Sequence, residues 1–256
     1  MNSNFLKKAE GFNSEKNRAG LNVVEVGIAV LIVGVLIALI LPGTRSASPT
    51  ARRLQCQNNL RNIGIALYNY ADTFGVLPPA YTVDAQGHRL HSWRTLLLPF
   101  LDKEALYRQI NLNQPWDSPA NTKAFNTAPD VYRCSESSGP ATHTSYLAIV
   151  TTDSCIQATE GMELSAISNG DGLAQTLLIV EMPEEDSVHW MAPQDTSEAS
   201  FLKISKDTRL PHQSGLNVLF ADSHVSYLST EISQDLRRAL ITATSKDNEI
   251  LYQEDF

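Results

Sequence analysis

The most uniform hydrophobic stretch lies near the start of the chain. Residues 21–41 read LNVVEVGIAVLIVGVLIALIL, and Glu25 is the one charged side chain among these 21 residues. A helix of this length rises about 1.5 Å per residue and is about 31 Å long, which matches the roughly 30 Å hydrocarbon core of a bilayer. The pattern therefore predicts a transmembrane helix over residues 21–41.

A second apolar pattern has the spacing of an amphipathic helix. One apolar face consists of residues three and four positions apart: Leu60, Ile63, Leu67, Tyr70 and Phe74. Gly75 suits the end of this helix, and Pro78-Pro79 prevents its continuation. At the other end, Pro42-Gly43 predicts a bend next to the membrane. We expect one long helix, kinked near Pro42, to lead from the membrane into a globular head.

Strand-like stretches follow later in the chain. They cover residues 144–151, 176–182 and 216–228, and the last is interrupted by a hairpin turn at 221–224. A final helix is predicted around Leu236, Leu240 and Ile241. A helix followed by strands indicates an α+β fold, with a mainly antiparallel sheet packed on the long helix. The predicted parts are a leader (1–20), the span (21–41), a bend and amphipathic helix (42–75), and a head (76–256).

The charge distribution predicts an orientation. The chain of 256 residues carries a net charge of −8, which is the wrong sign for holding nucleic acid through its phosphates. The leader, residues 1–20, has a net charge of +2, whereas residues 21–256 carry −10. A basic leader favours retention in the cytoplasm. We therefore predict a single-pass protein of the cytoplasmic (inner) membrane with its head outside, in the periplasm.

The amino-terminal pattern has three interpretations: a cleaved secretory signal, a plain signal anchor and a prepilin-type signal. A secretory apolar region is shorter than this one. A plain anchor gives the buried Glu25 carboxylate no partner, and burying a carboxylate costs about 2.5–3.5 kcal/mol near the bilayer centre.

The sequence from Gly20 to Glu25, GLNVVE, resembles the processing site of type IV pilins and pseudopilins. This resemblance implies that a prepilin peptidase cuts after Gly20 and methylates Leu21. Glu25 then becomes the fifth mature residue and pairs with the amino terminus of a neighbouring subunit. Asn22 stands where threonine is usual.

A longer resemblance covers most of the chain. The motifs LQCQNNLRNIG (54–64), SWR (92–94), PWDSP (115–119), YRC (132–134) and TSYL (144–147) look like the bacterial family called domain of unknown function 1559. Proteins of that family carry prepilin-type amino termini and end in a signature of His, nine residues and Asp-Gly. Here His212 precedes Asp222 by that spacing, and Ser223 replaces the glycine. Because glycine adopts a positive φ freely and serine does not, a tight turn is less favourable here than in the family.

The cysteines predict disulfide chemistry. Cys56, Cys134 and Cys155 lie far apart without a C-x-x-C pair, so a zinc ribbon is unsupported. An exported head lies in an oxidising compartment, where disulfides persist. The family resemblance includes Cys56 and Cys134, and the hypotheses are a Cys56–Cys134 bridge or a Cys134–Cys155 bridge, with one thiol left free.

Other candidate sites are outweighed by simpler interpretations. Asp171 lies in NGDG (169–172), which resembles a calcium loop but lacks the further oxygen ligands, so a turn is favoured and calcium stays an alternative. His88 and His91 lack a third metal ligand nearby in the sequence.

His212, Asp222 and a serine resemble the catalytic triad of a hydrolase, but a Gly-x-Ser-x-Gly motif is absent. The acidic run from Glu181 to Asp186 is predicted to be a solvated loop. No enzyme activity and no cofactor are expected.

The predicted function is that of a pilin- or pseudopilin-like structural subunit in a filament or a secretion-type assembly. Its partners are the prepilin peptidase, membrane lipid and other pilin-like subunits. These subunits pack on the amino-terminal helix, where Gly27 and Gly34 permit close approach. The alternative is a membrane-tethered binding module for a solute, a glycan or a protein. In that case Trp93, Trp116 and Trp190 are the natural contact residues, although core packing is the simpler role for them.

Overall fold

The computed structural model describes residues 22–40, 48–212 and 215–246, without the side chains of 37–40. The chain forms two compact units, Met1–Ser46 and Ala47–Phe256. The α-helices are α1 (Val23–Ile40), α2 (Pro49–Phe74), α3 (Trp93–Leu96), α4 (Glu104–Tyr107), α5 (Thr122–Phe125), α6 (Leu164–Asn169), α7 (Glu198–Leu202) and α8 (Gln234–Ala239). The strands are β1 (Tyr81–Val83), β2 (Arg89–Ser92), β3 (His143–Thr144), β4 (Tyr146–Leu147), β5 (Leu177–Glu181), β6 (Val188–His189), β7 (Gly215–Phe220) and β8 (Val225–Ser229).

The predicted transmembrane helix is wrong. Within residues 22–40, 48–212 and 215–246, no helix has both the length and the apolar character that crossing a membrane requires. The apolar run does form a helix, but α1 contains 18 residues. At about 1.5 Å per residue it is about 27 Å long, less than the roughly 30 Å of a hydrocarbon core. The predicted pilin-like architecture, with a long amino-terminal transmembrane helix packed on the sheet, is therefore wrong in its transmembrane helix.

The amphipathic helix is confirmed as α2, with clear signals at both ends. The Ser48 hydroxyl accepts a hydrogen bond from the Ala51 backbone N–H at 3.2 Å, and Pro49 occupies the first turn, where its missing N–H costs nothing. At the other end, Gly75 has a φ of 81° and donates its N–H to the Ala71 carbonyl at 2.7 Å. The buried face of α2 includes Cys56, Leu60, Ile63 and Leu67.

The sheet that organises the second unit is antiparallel, with four strands in the order β4-β5-β7-β8. Every residue of the central strands β5 and β7 is buried. Side chains alternate across a strand, and in β7 Leu216, Val218 and Phe220 belong to one hydrophobic cluster while Leu219 belongs to the other. The first of these clusters contains residues of α7 and α8, and the second contains residues of α2. The second unit is thus α+β with antiparallel sheets, as predicted, and helices cover both faces of its central strands.

A buried arginine joins the corner between β2 and α3 to the segment after β6. The Arg94 side chain is fully buried and pairs with Asp195 at 2.8 Å. Its guanidinium also donates to the carbonyls of Trp190 and Ala192, each at 3.0 Å. Trp93 donates its indole N–H to the same Asp195 carboxylate at 3.0 Å. The SWR motif therefore has a structural role, because the planar fork of arginine satisfies several buried acceptors at once.

Candidate functional site

Four side chains with metal-binding atoms converge inside the second unit. We call Cys56, Cys134, Glu181 and His212 the Cys₂-His-Glu cluster. All four residues are buried, with at most 6% of the surface of any one exposed. Their ligand atoms lie within 4.8 Å of one another. Residues far apart in sequence thus present two sulfur atoms, one imidazole nitrogen and one carboxylate oxygen to a common point.

The fold fixes each member of the cluster from a different element. Cys56 lies on the buried face of α2, and Glu181 ends strand β5. Cys134 follows the 3₁₀ helix Asp130–Tyr132, and His212 lies in the turn shortly before β7. Because α2 packs against β7 and β8, and β7 pairs with β5, the four positions are brought to one place.

The distances within the cluster are short. Cys56 Sγ lies 2.9 Å from Cys134 Sγ. His212 Nε2 lies 3.8 Å from Cys134 Sγ and 3.5 Å from the Oε2 atom of Glu181. The same imidazole nitrogen therefore faces both a sulfur and a carboxylate oxygen.

Neighbouring polar groups orient the cluster. Asn217 on β7 donates its Nδ2–H to Oε2 of Glu181 at 2.6 Å. The backbone N–H of Glu136 points to Cys134 Sγ at 3.4 Å, and the Ser135 hydroxyl lies 3.5 Å from Cys56 Sγ. Within the described chain, the second carboxylate oxygen of Glu181, Oε1, is buried and has no hydrogen-bond partner. Such an atom is costly to bury without a compensating interaction.

The acid–base properties of the cluster depart from ordinary values. The hydrogen bond with Cys134 lowers the pKa of the Cys56 thiol to about 3, and the same contact raises the pKa of Cys134 far above its usual range. Burial lowers the pKa of His212, but hydrogen bonds to Cys56 and Glu181 outweigh it and raise that pKa to about 9. The cluster therefore favours a thiolate at Cys56 beside a charged imidazole, an arrangement typical of reactive or metal-binding cysteines.

A cavity of about 530 Å³ adjoins the cluster. His212 lines this cavity and also belongs to the cluster. The other lining residues are Pro49, Thr50, Arg52, Arg53, Glu136, Pro211 and Tyr227. Of the four cluster residues, His212 is the one that lines this cavity.

Several predicted site residues are not part of the cluster. Gly20 and Leu21 lie outside the described residues, so the processing site stays a prediction. Glu25 is in the first turn of α1, where its carboxylate accepts a hydrogen bond from the Asn22 backbone N–H at 3.3 Å. Asp222 pairs with His224 at 2.5 Å, whereas His212 contacts the cysteines and Glu181. The two residues of the signature thus have different partners.

The remaining candidate residues have structural partners. The buried Asp171 carboxylate accepts the Ser245 backbone N–H at 3.0 Å, and calcium binding at Asp171 stays a prediction. His88 is exposed and pairs with Asp84 at 2.9 Å, while His91 is buried on β2.

The three cysteines are all buried, and Cys56 Sγ and Cys134 Sγ lie 2.9 Å apart. Cys155 is not a member of the cluster, and burial raises the pKa of its thiol. The structure therefore brings Cys134 beside Cys56, in agreement with the first of the two hypothesised pairs, although the bridge itself stays a prediction.

The tryptophans pack in the interior. Trp93 and Trp190 are fully buried. Trp116 is partly buried and stacks on Phe125 with ring centroids 5.5 Å apart. These contacts agree with core packing.

Glu181 is the member of the cluster that sequence analysis missed. The sequence predicts a solvated acidic loop from Glu181 to Asp186, and this prediction is wrong at Glu181, which is 1% exposed and ends the fully buried strand β5. The available signal was its position directly after LLIV, since an acidic residue that closes a buried strand needs a partner.

Residues 45–170 match the family model described as Protein of unknown function (DUF1559). This match supports the predicted resemblance over the segment that contains Cys56, Cys134 and the motifs between residues 54 and 147. It ends before Glu181 and His212, so the His212–Asp222 signature lies beyond it, as does the pilin-like sequence from Gly20 to Glu25. No curated protein and no solved structure matched the chain.

Proposed function

We propose that this protein is a pilin-like assembly subunit that is processed after Gly20 and associates through α1. The observation that carries the proposal is the surface of α1. Large apolar side chains are exposed along the described part of this helix, and values range from 45% for Val26 to 85% for Val23. A helix that is apolar on all sides is stable only when other apolar groups cover it.

We propose that the α1 helices of further copies of the chain cover this apolar surface. The two hydrophobic clusters of the second unit are built from residues 56–243, so that unit forms its core from its own side chains. Gly27 and Gly34 are seven residues apart on one side of α1, and a Cβ atom added at either would meet nothing within 4 Å. Small residues at this spacing let two helix backbones approach closely. We place the second unit outside the cytoplasm, in accordance with the charge distribution.

Processing is the first test. Protein isolated from its native cells should begin at Leu21 and carry a methyl group on its amino terminus, as shown by intact mass and terminal sequencing. Gly20→Val should block the cut, because the peptidase needs a small residue there, and Glu25→Ala should reduce assembly. A wild-type protein that keeps an unmethylated Met1 would contradict the proposal.

Association is tested by cross-linking in the same cells. Leu31→Cys on α1 should form disulfide-linked dimers on mild oxidation, whereas Gln86→Cys on the exposed β1–β2 turn should not. Adding Gly27→Leu should suppress the cross-link by separating the helices. Ala29→Leu, which adds bulk on another side of α1, is the matched control. Absence of the Leu31→Cys cross-link, together with an unprocessed terminus, would instead favour the second candidate, a binding module.

The second candidate rests on the cavity beside the cluster. Its volume falls within the range of small-ligand sites. Arg53 lies over the Tyr227 ring at 4.7 Å, and its Nε atom is buried without a hydrogen-bond partner in the described structure. A small anionic solute is the ligand that these groups suit.

A further inference from the structure

We propose that the Cys₂-His-Glu cluster is a structural metal site that binds one Zn²⁺ ion through Cys56, Cys134, Glu181 and His212. This proposal goes beyond the proposed function and does not depend on α1, because all four ligands belong to the second unit. Zinc accepts thiolate sulfur, imidazole nitrogen and carboxylate oxygen as ligands, and four such donors complete a tetrahedral site.

Of three ligand–ligand distances in the cluster, two agree with tetrahedral coordination and one is too short. With Zn–S near 2.3 Å and Zn–N and Zn–O near 2.0–2.2 Å, tetrahedral ligands are separated by about 3.6 Å for sulfur and nitrogen and about 3.4 Å for nitrogen and oxygen. The observed separations of 3.8 Å and 3.5 Å from His212 Nε2 match these values. The two sulfur atoms, 2.9 Å apart, must separate to about 3.8 Å in such a site. A change of this size is within the reach of a cysteine rotamer adjustment at Cys134, which lies outside regular helix and strand.

The surroundings resemble the outer shell of a metal site. Metal-binding carboxylates and thiolates are held by further hydrogen bonds, which fix their orientation. Asn217 holds Glu181 in this way, and the Glu136 backbone N–H points to Cys134 Sγ. The buried, unpartnered Oε1 atom of Glu181 also favours a cation here, because a cation bound by this carboxylate compensates the burial of its charge.

A disulfide explains less of the geometry. A Cys56–Cys134 bridge would involve only the two sulfur atoms. It would not explain why Glu181 and His212 lie beside them. Binding of Zn²⁺ instead engages all four groups. The Cys134 thiol and the His212 imidazolium lose their protons to solvent, and the two thiolates, the Glu181 carboxylate and the neutral imidazole then bind the ion. One of these ligands, His212, also lines the adjoining cavity.

The test is a Co²⁺ titration of the purified, fully reduced, full-length chain after removal of metal by a chelator. One equivalent of Co²⁺ should produce a thiolate-to-cobalt charge-transfer band and the visible absorption of a tetrahedral ion, and Zn²⁺ should displace it. Cys134→Ser should weaken Co²⁺ binding at least about a hundredfold and reduce the charge-transfer intensity, while Glu181→Gln should weaken it about tenfold with the charge-transfer band retained.

Cys155→Ser is the matched control, because it removes a buried thiol outside the cluster and should leave the spectrum and the affinity unchanged. If the Cys134→Ser variant does not fold, the wild-type titration and Glu181→Gln still decide the question. The proposal is overturned if the reduced wild type shows no charge-transfer band, or if Cys155→Ser loses the band as completely as Cys134→Ser. It is equally overturned if protein from native cells has no bound zinc and a mass lower by the two hydrogens of a Cys56–Cys134 disulfide.

Discussion

At the scale of single residues, the hairpin between β7 and β8 shows how one substitution affects backbone geometry. Ser223 occupies the position where the family signature has glycine, and its φ is 70°. This left-handed conformation costs a residue with a Cβ atom about 1–2 kcal/mol. Its hydroxyl is also buried and has no hydrogen-bond partner among the described residues. The serine therefore introduces backbone strain into the turn that connects β7 and β8 of the main sheet.

Replacing this serine with glycine should stabilise the protein. Ser223→Gly relieves the φ strain and removes the buried hydroxyl, and after the entropy cost of glycine in the unfolded chain we expect a gain of about 0.5–1 kcal/mol in unfolding free energy. Urea unfolding measures it as a higher midpoint at unchanged slope. Ser223→Ala, which keeps the Cβ atom, is the control and should gain less. A midpoint for Ser223→Gly at or below the wild-type value would show that the turn is not strained.

At the scale of elements, strand β6 is tied to the segment around α5 by one histidine. His189 Nε2 lies 3.0 Å from the Phe125 carbonyl, and its Nδ1 accepts the Met191 backbone N–H at 3.2 Å. The ring therefore needs a proton on Nε2 and a lone pair on Nδ1, which is the neutral form. Burial is the main cause that lowers the pKa of His189 to about 4.

Acid should destabilise these elements through His189. Its pKa is about 4 when folded and 6.5 when unfolded, so the unfolded chain binds more protons between these values, and stability is lost as the pH falls through this window. The expected loss between pH 7 and pH 5 is about 2 kcal/mol. Urea unfolding at both pH values should show that His189→Gln reduces the loss and that His88→Gln, at an exposed position, does not. Equal losses in wild type and His189→Gln would assign the acid sensitivity to other groups.

The elements also show what the sequence pattern determines. The helix α2 and the strands β5, β7 and β8 were predictable because their apolar periods and turn residues agree, as at Gly75 and in the β7–β8 turn. The length of α1 was not predictable, because a uniform apolar run carries no signal for where a helix ends.

The Cys₂-His-Glu cluster was also not predictable from the sequence. Glu181 and His212 join the cysteines only through the pairing of β5 with β7, and local spacing does not encode that contact.

At the scale of the whole molecule, the apolar helix α1 and the folded core belong to different units. The first unit, Met1–Ser46, contains the apolar helix α1, and the second, Ala47–Phe256, contains the sheet and the Cys₂-His-Glu cluster. The residues of both hydrophobic clusters lie between Cys56 and Ala243. Stability should therefore reside in the second unit and association in the first.

Deleting residues 1–46 tests this division. The segment 47–256 keeps every residue of the two hydrophobic clusters, so it should unfold cooperatively, with a free energy within about 0.5 kcal/mol of that of the longer chain. Because it lacks α1, it should also sediment as a monomer, whereas the mature chain beginning at Leu21 should form larger species. The mature chain with Gly27→Leu separates the two effects, since it should keep the unfolding midpoint and lose association. If the segment 47–256 unfolds at a much lower urea concentration, α1 contributes to folding; if it still associates, the interface lies on the second unit and the proposed role of α1 fails.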